Sequence, residues 1–399
     1  MAKEPAIRSL TIQNLLSFGP EPTTVELRNL NVLIGPNGSG KSNLIEVLGL
    51  LHSAPDELAR AMSKGGPIDE WLWKGTAGKS KDLTASVETV APVAGRTGLR
   101  YGLSVKKGPG YRLEIADERI EDESPLGGTS ATLYYSLEGG HPHLRSMLDP
   151  LSKSKAGAIG DFDPHLSILA QRKAPLLYPQ LSYIRDLFAG FRLHRDWEFG
   201  TSGNVRDACD ATLQNEYLED DYSNFGVVLD RLLSIPSVHD QIVSSLQTLY
   251  EGASDLRTNI EGGRVQVRLF EKHLRGGTPL VRLSDGTLRW LTLLAILLNP
   301  DPPPLVCIEE PELGLHPDMI HELGNLLKEA STRMQLIITT HSDRLVEEFT
   351  DTPEAVVVCE KENGASKFRR LDRKQLASWL EDYTLGQIWT RGQIGGTRW

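Results

Sequence analysis

Cysteine is scarce in this chain. Among 399 residues there are three cysteines, and Cys209, Cys307 and Cys359 lie far apart in the sequence. Their odd number and wide separation argue against a disulfide-stabilised scaffold and give none of the short spacings that are typical of zinc sites. We therefore expect free thiols and a reducing, cytoplasmic environment.

Long apolar runs are also missing. No stretch approaches the roughly twenty uncharged apolar residues that a membrane span requires, and the first residues do not resemble a signal peptide. The sequence thus predicts a protein with no part in the membrane, which excludes a transporter with a fused membrane domain. A sustained heptad repeat is absent too, and this excludes a long coiled-coil arm.

Basic residues are outnumbered by acidic ones. The chain has 43 Lys and Arg against 53 Asp and Glu, a net charge of −10, which argues against a protein that coats nucleic acid through its overall charge. DNA remains a possible partner through a local patch. Two stretches are candidates, although each also fits an ordinary solvated surface: Lys367, Arg369, Arg370, Arg373 and Lys374, and Arg96, Arg100, Lys106 and Lys107.

Glycine, by contrast, is plentiful, and three glycines fall in the segment Gly35–Ser42, which reads GPNGSGKS and is here named the phosphate loop. The apolar run Leu30–Ile34 precedes it and the helical-looking Asn43–Leu48 follows. Glycines allow backbone N–H groups to converge on an anion, and the following helix adds its positive end. Lys41 would reach the β- and γ-phosphates of ATP, and the Ser42 hydroxyl would bind Mg²⁺. The residues predicted to bind the nucleotide are Asn37, Gly38, Ser39, Gly40, Lys41 and Ser42. A glycine-rich turn that binds nothing is the alternative, but the flanking strand and helix favour a nucleotide site.

Two apolar runs carry polar residues at their ends. Leu305–Glu310 finishes with two carboxylates, and Leu336–Thr340 is followed by His341. Ligands of open α/β sheets gather at the carboxyl ends of the strands. Glu309 could hold a hydrated metal, Glu310 could orient and polarise the attacking water, and His341 could sense the γ-phosphate. Each also has an ordinary interpretation, as a solvated turn for the acids and a core or surface residue for the histidine.

A further anion site is predicted at the start of a long apolar helix. Leu283–Thr287 reads LSDGT and directly precedes the run Leu288–Leu298. A serine and a glycine at a helix start, here Ser284 and Gly286, leave backbone N–H groups exposed to an anion.

In this order, the motifs resemble those of the ATP-binding-cassette-type ATPases of the SMC/RecF/OLD group, in particular stand-alone AAA family ATPases of bacterial DNA repair and antiphage defence. Gly35–Ser42 is similar to Walker A, Leu283–Gly286 to the signature, Glu309–Pro317 to Walker B with the D-loop, and Thr340–Ser342 to the histidine switch. The EPELGLHP run is highly specific for that group, and Ile7–Phe18 is similar to its first strand. The resemblance covers residues 1–75 and 250–399.

The resemblance implies that ATP and Mg²⁺ are bound between two heads of a homodimer or higher homo-oligomer. The phosphate loop of one subunit would then face Ser284 and Gly286 of its mate. The sequence departs from the group at two positions. Glu309 stands where the group usually has Asp, so the metal could be displaced and hydrolysis slow. Asp285 stands where transporters commonly have Gly.

The resemblance also implies an α/β fold, a P-loop ABC-type ATPase head with a mixed sheet flanked by helices. We predict an N-terminal lobe with Walker A and an antiparallel β-subdomain at residues 1–175. A helical insertion at 176–255 and a C-terminal lobe with the remaining motifs at 256–399 would follow. The strands expected in the β-subdomain are Leu83–Val87, Leu99–Val105 and Tyr111–Ile115.

The expected function is that of an ATPase that acts as a sensor and switch in DNA repair or antiphage defence. The segment after His341 is too short for the metal-binding Toprim domain of OLD-type nucleases. We therefore expect no nuclease site in this chain and a separate effector protein, such as a nuclease. The alternative is an ATP-binding regulatory scaffold with little turnover. A third interpretation, the energy subunit of a membrane transporter, lacks the usual Q-loop context and LSGGQ spelling.

Overall fold

A computed structural model describes residues 3–62, 66–75, 84–124, 131–146, 149–154, 162–197, 199–200 and 203–396. Within these ranges the chain forms three β-sheets and twelve α-helices. The helices are α1 (Lys41–Ser53), α2 (Leu58–Met62), α3 (Ile68–Trp71), α4 (Ile168–Gln171), α5 (Pro179–Ala189), α6 (Phe225–Leu233), α7 (Pro236–Leu249), α8 (Asp285–Leu297), α9 (Met319–Ala330), α10 (Asp343–Glu347), α11 (Arg373–Leu380) and α12 (Leu385–Thr390).

The central sheet has six strands and carries the predicted motifs. In spatial order they are β10 (Arg192–His194), β15 (Leu305–Glu309), β16 (Gln335–Thr339), β3 (Leu30–Ile34), β17 (Val356–Glu362) and β18 (Ala365–Arg370). The first five are parallel, and β18 runs antiparallel to β17. All residues of β3 and β16 are buried, because a parallel sheet is covered on both faces and its strands are almost entirely apolar.

Alternate residues of the central strands feed two hydrophobic cores. Val32 and Ile34 face one core, to which helices α6 to α9 contribute their apolar sides. Leu33 faces the other, where α1, α5 and the second sheet pack. This alternation follows from the two-residue period of a strand. It places α1, which directly follows the phosphate loop, on one face and α8 on the other.

The second sheet has eight antiparallel strands and confirms the predicted β-subdomain. Its order is β2 (Thr23–Glu26), β1 (Ser9–Gln13), β4 (Ala85–Val93), β5 (Arg96–Lys107), β6 (Leu113–Asp122), β7 (Leu133–Glu138), β8 (His141–Ser146) and β9 (Asp149–Ser154). The three strands expected from the sequence correspond to β4, β5 and β6, although Leu83 lies outside the described residues. The sheet is larger than the sequence indicates, since the N-terminal strands also join it.

The segment 176–255, predicted as a helical insertion, contains α5, α6 and α7 but is not helical throughout. Residues Arg192–His194 form β10, which pairs in parallel with β15 at one edge of the central sheet. The third sheet begins in the same segment with β11 (Cys209–Asp210) and continues with β12 (Ala253–Glu261), β13 (Arg264–Glu271) and β14 (Thr278–Pro279). The division into three parts at 176 and 255 remains a prediction.

None of the helices in the described ranges is both long and apolar enough to cross a bilayer. Cys209, Cys307 and Cys359 are buried free thiols. Burial raises the pKa of Cys307 and of Cys359 well above the usual value for a thiol, so both are neutral packing residues.

Candidate nucleotide site

The phosphate loop connects β3 to α1 and depends on its glycines. A Cβ atom on Gly35 would lie 2.1 Å from the carbonyl oxygen of Cys359, and one on Gly40 would lie 2.1 Å from the Ser366 hydroxyl. Both residues have a positive φ, 147° and 106°. Gly38 differs, since nothing lies within 4 Å of its Cβ position. The loop is therefore tightly packed at Gly35 and Gly40 and has open space beside Gly38.

Several groups of this loop can bind an anion. Helix α1 begins at Lys41, and no side chain caps its N-terminus. The Ser39 hydroxyl is buried and has no hydrogen-bond partner among the described residues. The Lys41 ammonium donates hydrogen bonds to the carbonyl oxygens of Gly35 at 2.7 Å and Pro36 at 3.2 Å, so it lies over its own loop. Helix-start N–H groups, a hydroxyl and a cation around open space fit a triphosphate.

Oxygen ligands suited to Mg²⁺ lie beside the loop. The Ser42 hydroxyl lies beside the carboxylate of Glu309, the last residue of β15. Burial raises the pKa of Glu309, while the Arg195 guanidinium and the Ser42 hydroxyl act in the opposite direction. Carboxylate and hydroxyl oxygens are the hard donors that Mg²⁺ prefers. Ser42 and Glu309 therefore fit the metal that the fold implies, and the structure brings them together as the sequence predicts.

Glu310, which follows β15, and His341, which lies just after β16, face each other. His341 Nε2 lies 3.7 Å from Glu310 Oε1. Glu310 has a φ of 45°, a left-handed conformation that costs a non-glycine residue about 1–2 kcal/mol. Its N–H donates to the Thr339 carbonyl at 3.0 Å, and its own carbonyl accepts from Arg289 at 2.9 Å. These bonds hold the unusual backbone, which turns the carboxylate toward His341.

Glu312 supports the backbone at His341, a role that the sequence did not suggest. Its Oε1 accepts hydrogen bonds from the Thr340 hydroxyl at 2.6 Å and from the His341 N–H at 3.2 Å. Its Oε2 is buried and has no hydrogen-bond partner in the part of the chain that the structure describes, and burial raises the pKa of the carboxyl. Glu312 lies inside the EPE run, so its motif was visible in the sequence although its contacts were not.

The signature residues lie beside the segment that follows Glu310. Ser284 caps α8, because its hydroxyl accepts the Thr287 N–H at 3.2 Å. A Cβ atom on Gly286 would lie 3.0 Å from the Gly314 carbonyl oxygen, so only a very small residue fits there. Arg206 hydrogen-bonds the Asp285 carboxylate and holds the turn before α8. The start of α8 is thus fixed against the predicted D-loop of the same chain.

Arg195 and Trp197 form contacts with Glu309 that sequence reasoning missed. The Arg195 Nε donates to Glu309 Oε1 at 3.2 Å, and the Trp197 Nε1–H donates to the Glu309 carbonyl at 2.7 Å. The Arg289 guanidinium stacks 4.4 Å above the Trp197 ring. The only signal in the sequence is that Arg195 and Trp197 follow a very short apolar segment, which has no periodicity to mark it as a strand.

Comparisons with known proteins agree with this geometry. Solved structures of Smc heads are similar to the chain at low identity. A head bound to the C-winged helix domain of ScpA has 15% identity and a TM-score of 0.58, covering 94% of this chain and 100% of that one. A head with an extended coiled coil bound to the C-terminal domain of ScpA, derived from Pyrococcus furiosus, has 13% identity and a TM-score of 0.55, covering 95% and 99%. A third, with a coiled coil and joint, derived from Pyrococcus yayanosii, has 14% identity and a TM-score of 0.50, covering 95% and 99%. These likenesses show the fold of an SMC head.

A comparison with curated protein sequences gave no match. A protein family does match, over residues 30–123 and 174–347, and is described as "AAA domain, putative AbiEii toxin, Type IV TA system". The matched ranges include the phosphate loop, the signature, both acidic residues at the end of β15 and His341. The chain therefore belongs to this family of AAA domains and has the SMC-head-like fold of an ATPase.

Proposed function

We propose that the protein binds and hydrolyses ATP in the presence of Mg²⁺. One observation carries the proposal. Three consecutive strands of the central sheet, β15, β16 and β3, bring Glu309 with Glu310, His341 and the phosphate loop to one edge of the sheet. The loop N–H groups and Lys41 bind the phosphates, and Ser42 and Glu309 hold the metal. Mg²⁺, when bound, neutralises negative charge on the phosphates.

In this proposal Glu310 orients the attacking water and accepts its proton. Its carboxylate is partly exposed, so water can reach it, while its backbone is held from both sides by Thr339 and Arg289. His341 lies within 4 Å and is itself held through its N–H by Glu312. A fixed base and a fixed imidazole at the phosphate end of the site suit in-line attack by water.

Steady-state hydrolysis by wild type and Glu310→Gln tests this assignment. The substitution keeps the size of the side chain but removes the base, so we expect turnover to fall at least about a hundredfold while nucleotide binding is retained. Glu329→Gln, at an exposed position of α9 where the carboxylate pairs with Arg333, is the matched control and should leave turnover unchanged. Equal turnover in wild type and Glu310→Gln would refute the role of Glu310.

The same experiment separates the alternative, an ATP-binding scaffold with little turnover. The observation that favours this alternative is Glu309, whose longer side chain is already engaged by Arg195. Tight nucleotide binding with negligible turnover in wild type, with and without double-stranded DNA, would support the scaffold.

We further propose that two copies pair head to head around ATP. Support comes from the exposure of the surface that would meet the partner's phosphate loop. Val281, shortly before Ser284, and Leu313, directly before Gly314, are each more than half exposed. A hydrolysis-deficient Glu310→Gln protein should form dimers with ATP, and Ser284→Arg should prevent this. Light scattering after gel filtration measures both. Dimers that form equally well without nucleotide would contradict the proposal.

A role as a switch for a separate effector protein in antiphage defence or DNA repair is the physiological part of the proposal. The family description and the ScpA domains bound to Smc heads support a partner protein. The two basic stretches give DNA little support. Arg370 is partly buried and donates to the Glu26 and Glu354 carbonyls. The second stretch faces acids, with ion pairs of Arg100 to Glu88 and Glu121, Lys106 to Glu114, and Lys107 to Asp69.

A further inference from the structure

Arg195 lies at the metal side of the candidate site because of the register of β10. His194 is paired with Ile308 in the parallel ladder, so the residue that follows, Arg195, is level with Glu309. Its guanidinium bridges two carboxylates from different elements. Nε donates to Glu309 Oε1 at 3.2 Å, and Nη2 donates to Glu46 Oε1 at 3.1 Å.

Glu46 belongs to α1 and stands four residues after Ser42, on the same side of the helix. The Ser42 hydroxyl lies beside the Glu309 carboxylate, so Ser42, Glu46, Glu309 and Arg195 form one cluster. The three charged side chains, Arg195, Glu46 and Glu309, are only 20% to 32% exposed, which limits screening of their charges by water. Without Arg195, two carboxylates would stand uncompensated beside the place where a triphosphate binds.

We propose that Arg195 is a positioning residue that replaces the charge of the metal while the metal is absent. It neutralises Glu309 and Glu46, which allows nucleotide to bind without Mg²⁺. It also holds the Glu309 carboxylate beside Ser42, where the metal would be bound. Arg195 thereby sets how strongly nucleotide binding depends on Mg²⁺. This inference rests on the proposed ATP-binding function.

The test is the dissociation constant of a fluorescent ATP analogue, measured with Mg²⁺ and again with EDTA. In Arg195→Ala we expect binding in EDTA to weaken by about tenfold or more, because two carboxylates then repel the phosphates at short range. With Mg²⁺ present the metal compensates these charges, and we expect a change below about threefold. The ratio of the two constants is a readout that a merely structural role of Arg195 would not alter.

Three further variants make the test specific. Arg195→Lys keeps the charge and should keep most of the binding in EDTA. The double variant Arg195→Ala/Glu46→Gln removes one carboxylate together with the cation and should recover much of the lost binding. Arg192→Ala removes a cation from the same strand, where Arg192 lies over Tyr217, and should leave the ratio unchanged.

The outcomes are distinguishable. Equal weakening of Arg195→Ala binding in both conditions, or no change in either, would overturn the inference. If Arg195→Ala does not fold, failure of Arg195→Lys to keep binding in EDTA overturns it instead. Wild type that binds no nucleotide in either condition would refute the proposed ATP-binding function itself.

Discussion

The stability of the β-subdomain should fall as the pH rises from about 5 to about 8, because of one buried carboxyl group. Glu118, on β6, is fully buried. It accepts hydrogen bonds from the Tyr101 hydroxyl at 2.8 Å, the Ser167 hydroxyl at 2.5 Å and the Ile168 N–H at 2.9 Å. It thereby fastens the start of α4 to the eight-stranded sheet.

Burial raises the pKa of Glu118 from 4.5 to about 7, although its three donors act in the opposite direction. The folded protein then binds this proton more tightly than the unfolded chain does. Stability is therefore fully present below about pH 4.5 and is lost as the pH rises through about 7. Each pKa unit is worth about 1.4 kcal/mol, so the free energy of unfolding should drop by about 3 kcal/mol between these limits.

Because other groups also titrate in this pH range, the stability of wild type must be compared with that of a variant that cannot ionise at position 118. Glu118→Gln keeps one oxygen for the two hydroxyl groups but turns an amide toward the Ile168 N–H, which costs about 1–2 kcal/mol at every pH. Urea unfolding followed by circular dichroism at pH 5 and pH 8 gives both free energies. Wild type should be the more stable protein at pH 5, and its advantage should shrink or reverse at pH 8.

The control is Glu121→Gln on the same strand, where Glu121 pairs with Arg100 nearer the surface. The difference in free energy of unfolding between this variant and wild type should change little with pH, since the pair is partly solvated. A difference between wild type and Glu118→Gln that is the same at pH 5 and pH 8 would refute the reasoning.

Two further predictions concern the candidate site. Gly38→Ala and Gly95→Ala introduce a methyl group at residues with similar positive φ, 75° and 73°, and with nothing within 4 Å. Each should lose about 1 kcal/mol of stability, but only Gly38→Ala, which fills the phosphate loop, should abolish nucleotide binding; equal Kd values in the two variants would contradict this. Thr340→Val removes the hydroxyl that bonds Glu312, so the His341 backbone should loosen and kcat should fall about tenfold with Kd unchanged. Normal kcat in that variant would show that Glu312 does not position His341.

The phosphate loop and the strands that flank it were predictable because their sequence signals are local. A glycine-rich loop between an apolar run and a helix can be identified without knowing what packs against it, and the ends of β15 and β16 are marked by the polar residues that follow. The clash of a Gly35 side chain with Cys359 was not predictable in this way. It depends on a contact with β17, more than three hundred residues later in the chain.

The parts that the sequence did not reveal are those whose structure depends on distant partners. Arg192–His194 is three residues long and has no period of its own, yet it becomes a strand because the edge of β15 is available. The bridge from Arg195 to Glu309 and Glu46 follows from that pairing. Similarly, β1 joins the β-subdomain through β4, a pairing between segments that nothing in either sequence specifies.

The position of β3 has a consequence for how the chain folds. Val32 is paired with Ile338 on one side and with Val356 on the other, so both neighbours of β3 are made late in synthesis. On the ribosome, β3 cannot form hydrogen bonds with either neighbouring strand until β16 and β17 have been synthesised. Nucleotide binding should therefore be among the last properties that a nascent chain acquires. During that delay a strand with four apolar residues out of five has no partner, and an unpaired apolar strand promotes aggregation.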